Sequence, residues 1–136
     1  MEPPTSSLLD RPAAEAARLL ALRLLDDAAA ARLRLGRPDD PEALHDFRVA
    51  IRRLRSCLRA WRAVLDEGVS PRVVKRLRRL ARATGASRDL EVHLAWVVGQ
   101  APHLREYQRP GLAWLEGRLR RRQRRAGERL ARALER

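Results

Sequence analysis

Aromatic side chains are scarce in this chain: one Tyr and one Phe accompany three Trp in 136 residues. A core must therefore be built mostly from Leu, Ala and Val. Cysteine occurs once, at Cys57, which excludes an internal disulfide and fits a reducing compartment. Lysine also occurs once, at Lys75, so the basic character rests on arginine. No apolar run approaches the ~20 residues of a membrane span, and no membrane partner is expected. The amino-terminal MEPPTSSLLDRP is acidic and proline-rich and lacks the basic and apolar regions of a signal peptide. Cytoplasm is the expected location. There is no glycine-rich phosphate loop, no HExxH, no CxxC and no Cys/His cluster at metal-ligand spacing. Acids are sparse where basic residues are densest, which disfavours a magnesium site made of carboxylates. A nucleophile with a base beside it has no evident source. These absences describe a protein that binds without catalysing, and without metal or cofactor.

What is abundant is positive charge. Thirty basic residues face 17 acidic ones, for a net +13. Residues 1–46 hold six Arg and nine Asp/Glu, while residues 47–136 hold 24 basic and eight acidic residues. Self-repulsion of that size opposes compaction and points to an anionic partner. Arginine in place of lysine has two explanations: bidentate grips on phosphate, or a GC-rich genome that favours Arg and Ala codons alike. Codon bias leaves the net charge unexplained.

The charge is most ordered between Leu44 and Leu65, LHDFRVAIRRLRSCLRAWRAVL. Phe47, Ile51, Leu54, Leu58, Trp61 and Leu65 recur at steps of four and three, the spacing of a packing seam. One position round sit His45, Arg48, Arg52, Arg55, Arg59 and Arg62. At about 100° per residue the two stripes are roughly 100° apart. A row of like charge is ordinarily a solvated helix face. Here no acid follows Asp46 to supply the i,i+4 pairs that support such a face. Arg72, Lys75, Arg76, Arg78, Arg79 and Arg82 repeat the pattern without an acid, and the segment Arg118–Arg132 adds eight arginines with Glu128 alone among them. A polyanion laid across these helices relieves their repulsion and releases its own counterions. His45, at the head of the row, can donate to a phosphate once protonated; His93 and His103 read as surface or packing residues.

Helix boundaries follow from caps and breakers. Residues 1–11 read as a flexible lead-in and 12–136 as one domain. Pro12 suits a first turn, with Ala16, Leu19, Leu20, Leu24 and Ala28 as the seam of a first helix that Gly36 ends. Asp40 caps the second helix and Pro41 opens it; it is expected to end near Asp66-Glu67-Gly68. Ser70-Pro71 repeats that signal for a third helix with Val73, Val74, Leu77, Leu80 and Ala81 inward. Gly85 breaks it, and Ser87 caps a shorter piece, Arg88 to about Val98, carrying Leu90, Val92, Leu94 and Val97. HLAWVV is the one stretch that could be a strand, but nothing nearby could pair with it. After a loop, a last helix from about Gly111 to Leu134 has Leu112, Leu115, Leu119, Ala126, Leu130 and Ala133 as its seam, which Gln123 interrupts. The expected fold is all-α: an antiparallel four-helix bundle with the third helix broken near Gly85. Asp89 reads as a first-turn acid favourable to the helix dipole, or as a partner for a ladder arginine.

HDFRVAIRRLRSCLRAW at 45–61 resembles the signature helix of the CHAD family, the conserved histidine α-helical domain, which typically reads HxxRVxxRRLRS. LRRLARATGASRDLEV at 77–92 is similar to the family's LxxLxxxLGxxRDxDV. Thr84 stands where the family usually has Leu, and Glu91 where it often has Asp. The resemblance implies a basic helical domain that binds inorganic polyphosphate, with His45, Arg48, Arg52, Arg53, Arg55, Arg88 and Asp89 on the characteristic positions. A typical member has two four-helix halves, and this chain carries one copy of the motif. Many relatives are fused to a triphosphate tunnel metalloenzyme domain, whose ExExK motif is missing here, so its catalysis is not carried over.

The expectation is therefore a non-catalytic polyphosphate-binding module. Arg48, Arg52, Arg55 and Arg59 grip phosphates along one helix, Lys75, Arg79 and Arg82 form a second rail, and His45 marks one end. Arg118, Arg121 and Arg125 are secondary candidates. The alternative is a nucleic-acid binder, against which stands the lack of aromatics interleaved with the charges. A membrane-surface or purely structural bundle is the third class. Trp96, Trp114 and Val98 fall outside every seam, which raises the expectation of a homodimer.

Overall fold

A computed structural model describes residues 6–65 and 67–135. Every regular element among them is helical: α1 (Ser6–Leu9), α2 (Ala13–Arg34), α3 (Ala43–Ala60), α4 (Arg62–Leu65), α5 (Pro71–Gly99) and α6 (Arg109–Glu135), with 3-10 turns at Ala101–His103 and Glu106–Gln108. Of the expected lead-in, residues 1–5 lie outside the described residues, as does Asp66 at the expected end of the second helix; residues 6–9 form a helical turn. No helix among the described residues is long and apolar enough to cross a membrane. The chain divides into two compact units, Met1–Ala81 and Arg82–Arg136.

In the first unit α2 and α3 form an antiparallel hairpin. Pro12 stands just before α2 instead of inside its first turn, and its carbonyl accepts from Ala16 N–H at 3.0 Å. Gly36 ends the hairpin's first arm at φ 82°, the one positive φ among the described residues, a left-handed conformation that glycine adopts without a Cβ clash. Of the expected seam of α2, Ala28 is buried and Ala16, Leu20 and Leu24 are half-buried, while Leu19 is exposed. Ala17 and Ala31 are also buried and Ala21 half-buried, so 17, 21, 24, 28 and 31 recur at steps of four and three, and Leu22, Leu25 and Leu33 face outward. Alanine lets two backbones approach closely, so this stripe is chosen by size and not by hydrophobicity.

α3 buries Leu44, Phe47, Ala50, Ile51, Leu54 and Cys57, each large aliphatic or aromatic side chain contributing about 1.5–3 kcal/mol. The seam holds through Leu54. Leu58 and Leu65 are half-buried, and Trp61 is 41 % exposed. The reason is a break: α3 stops at Ala60, Trp61 takes φ −104° and ψ 22°, and the short α4 starts at Arg62. That change of direction rotates Trp61 out of the stripe. Burial pushes the Cys57 thiol above its ordinary range, the environment of an inert cysteine.

α5 corrects the expected break at Gly85. It runs unbroken from Pro71 to Gly99, because one interior glycine costs only about 1 kcal/mol relative to alanine and its neighbours are in register. Within the second unit, Thr84, Ser87, Leu94 and Val97 are buried and Leu90 and Glu91 half-buried, one stripe at helical spacing. Ser87 is thus a buried mid-helix residue and not a cap. Val73 and Val74 in the first unit, and Val92 in the second, were expected inward and are exposed. Leu94 and Val97 pack with Leu119 of α6, joined by Leu90 and Leu112. In α6 the positions 112, 116, 119, 123, 126, 130 and 133 are buried or half-buried, with 117 and 134 half-buried beside them, so Gln123 continues the seam at steps of four and three. Leu115, expected in that seam, is exposed.

Candidate functional site

The site begins with how α3 is held. Arg34, in the last turn of α2, donates from Nε and Nη2 to the two oxygens of Asp40 at 2.6 and 2.9 Å, and from Nη1 to Asp46 at 2.7 Å. Backbone N–H groups of Glu42 and Ala43 also face the Asp40 carboxyl. α3 nevertheless begins at Ala43, with Glu42 at its cap position and no side-chain cap bond, so Asp40 and Pro41 lie ahead of the helix instead of capping and opening it as expected. The Arg34 fork, above all, and then those N–H groups hold the Asp40 carboxyl below the usual carboxylate range, against the opposing effect of desolvation. Both carboxylates raise the Arg34 guanidinium in turn. One arginine therefore engages Asp46, the acid nearest the head of the ladder.

Down the ladder, His45, Arg52, Arg55 and Arg59 are exposed and Arg48 is half-buried. From His45 to Arg59 the row covers about 21 Å at 1.5 Å per residue. A groove of about 820 Å³ opens along its lower half, wholly within the first unit. Arg52, Arg55, Arg59 and Arg62 stand on one wall, and Lys75 and Arg78 on the other; Ser56 is the uncharged polar residue of the lining. The remaining lining is apolar: Leu58, Leu65, Val69, Pro71, Val74 and Leu77. No carboxylate among the described residues pairs with Arg52, Arg55, Arg59, Lys75 or Arg78. Like charges left this close raise the potential inside a concave wall and attract anions.

The structure thus brings together Arg52, Arg55, Arg59 and Lys75 of the expected residues, and adds Arg62 and Arg78. Arg53 faces elsewhere, into a smaller groove with Asp27, Arg34 and Asp46. His45 and Arg48 continue the row beyond the groove lining, and Arg79 does not line it. Arg82 and Arg88 belong to the second unit, where Arg88 donates to Glu91 at 3.0 Å. Arg78 carried a readable signal. Each groove cation on α3 and α5, namely Arg52, Arg55, Arg59, Lys75 and Arg78, directly follows an apolar residue: the buried Ile51 and Leu54, or Leu58, Val74 and Leu77 of the lining. Leu54 itself lies beneath in the core. Among the described residues no three of His, Cys, Asp and Glu are grouped as metal ligands would be.

A family model for the CHAD domain matches residues 19–136. The chain belongs to the CHAD family. The match takes in α3, both walls of the groove and all of α6, so the signature helix of this CHAD protein is also the helix that forms the groove's first wall. No curated protein matches the chain, and no solved structure matches it either.

Proposed function

We propose that this CHAD protein is a non-catalytic module that binds inorganic polyphosphate in the groove of its first unit. One observation carries the reading: Arg52, Arg55, Arg59, Lys75 and Arg78 converge there with no acid paired to them among the described residues. Their repulsion falls when a polyanion enters, arginine forks bind phosphate oxygens two at a time, and released counterions add the larger, salt-dependent share of affinity. His45 and Arg48 extend the track past the groove. The HxxRVxxRRLRS helix, read at 45–56, supports the same ligand.

Nucleic acid is the competing reading, since the same field attracts any polyphosphate backbone. Stacking platforms for single strands need successive aromatics, and the groove lining contains none. Competition between long polyphosphate and duplex DNA at about 150 mM salt decides between them. Polyphosphate displaces DNA if the proposal holds; DNA displacing polyphosphate overturns it.

Two further parts belong to this proposal. The location is cytoplasmic. Self-association follows from the second unit, where Trp96 is 65 % and Trp114 62 % exposed, with the Arg118 guanidinium 5.5 Å from the centre of the Trp114 ring. Net charge opposes a dimer, so polyphosphate strengthens it. Light scattering up to about 100 μM, where association worth ~6 kcal/mol registers, tests this; a monomer with and without polyphosphate removes the dimer.

A further inference from the structure

Inorganic polyphosphate is charged along its whole length and gains nothing from hydrocarbon. The groove nevertheless has an apolar floor. Leu58, Leu65 and Val69 are half-buried, and Val74 is left 40 % exposed. Leaving such surface uncovered between two cationic walls is costly unless a ligand covers it. The groove's 820 Å³ lies in the range of small-molecule sites, about 300–1,000 Å³.

The lining is graded along the groove. Leu65, Val69 and Val74 gather at the end where α4 turns back into α5, flanked by Arg59, Arg62 and Lys75, while Arg52, Arg55 and Arg78 stand further along the two helices. A ligand with an apolar body at one end and phosphates at the other matches that order. The walls narrow the body further. Guanidinium planes stack on aromatic rings as well as bridging phosphate oxygens; a saturated acyl chain uses the floor but not that property of Arg59 and Arg62. We infer that the groove takes a nucleoside polyphosphate, its heterocycle over Val74 and its phosphates toward Arg52, Arg55 and Arg78. This deepens the polyanion reading of the same groove and rests on it.

The test compares ATP with inorganic tripolyphosphate, both in EDTA, by titration calorimetry on the full chain. The two share three phosphoryl groups and differ by the nucleoside. Charge alone makes tripolyphosphate the tighter ligand. The inference expects ATP to bind at least about tenfold tighter, equivalent to about 1.4 kcal/mol, which burial of about 55 Å² of apolar surface supplies. Val74→Ser narrows the ratio to below about threefold. A wild-type ratio of one or less, with long polyphosphate still bound, overturns the nucleoside and leaves the polyphosphate reading standing. An unchanged ratio in Val74→Ser puts the heterocycle off the floor and overturns the inference too. Failure of ATP, tripolyphosphate and long polyphosphate all to bind removes both.

Discussion

α3 and α6 are both arginine-rich helices with apolar seams, yet they present their charge in different ways. On α3, His45, Arg48, Arg52, Arg55 and Arg59 fall within an arc of about 80°, computed at 100° per residue, with Arg53 outside it, and the lower half of that arc faces a second wall across a groove. On α6, Arg118, Arg120, Arg121, Arg122, Arg124, Arg125, Arg129 and Arg132 spread over about 200° by the same arithmetic. Arg120 is already tied to Glu116 by two bonds of 2.9 and 2.6 Å, and Arg118 stands over Trp114. Charge density is therefore a poor guide to a site. Convergence decides, and convergence needs a narrow stripe with a second element opposite it.

The largest test of that contrast replaces three arginines on each helix. Arg52, Arg55 and Arg59 to Ala together lower polyphosphate affinity about 100-fold or more, at roughly 1 kcal/mol for each lost charged contact, and flatten the salt slope by about 2. Arg121, Arg124 and Arg125 to Ala remove the same charge and cost less than about fivefold. Equal losses in the two triples, measured by anisotropy across a salt series, break the comparison.

Next in size is the separation of seam from ladder. Leu54 is 3 % exposed, and Leu54→Ala costs about 2–5 kcal/mol through lost burial and the cavity left behind. Arg55→Ala, one residue along on the exposed side, changes stability by about 0.5 kcal/mol or less. Thermal melts that rank Arg55→Ala as the more damaging contradict the stripes.

A smaller effect concerns the clamp that fixes the head of α3, which has no counterpart among the contacts described for α6. The Asp40 carboxyl is lowered by Arg34, so the stability it contributes is present above the unfolded carboxylate value, about 3.9. It is lost as pH falls through the lower, folded value. Asp40→Asn therefore lowers the melting temperature at pH 7 and shrinks the decline between pH 5 and pH 2. An acid limb identical to wild type removes the clamp from the account.

The smallest change is Gly85→Ala. A Cβ there meets nothing within 4 Å, and alanine favours a helix interior by up to about 1 kcal/mol. Mild stabilisation is expected from α5 as a continuous helix; destabilisation in urea melts restores the break.

α3 was legible because Leu, Ile and Phe mark its buried stripe and arginine its neighbour, so hydrophobicity and position agree. α2 was legible only in part. Ala16, Leu20, Leu24 and Ala28 are buried or half-buried as expected, but its fully buried residues are alanines and Leu19, Leu22, Leu25 and Leu33 point outward, since an ordering by hydrophobicity misses positions where close backbone approach decides the packing. Gly85 and Ser87 spelled a stop and a cap locally, but the stripe of Leu80, Thr84, Ser87 and Leu94 overrode them. Gln123 looked like an interruption for the reverse reason, since register and not polarity places it. At the groove, Arg52, Arg55, Arg59 and Lys75 could be read from their spacing. Arg78 was not selected because a rail drawn through 75, 79 and 82 steps by four first, while the groove follows the three-residue step from Lys75.

Lys75 has a consequence of another kind. It is the chain's one lysine, it is exposed, and it lines the groove wall. Acylation of lysine side chains, which removes their charge, therefore meets this protein at a single point, directly across from the arginine ladder. An amine-reactive fluorophore attached there reports from inside the groove without any engineered residue, and an acyl group placed there deletes one of its charges while every arginine stays as it was.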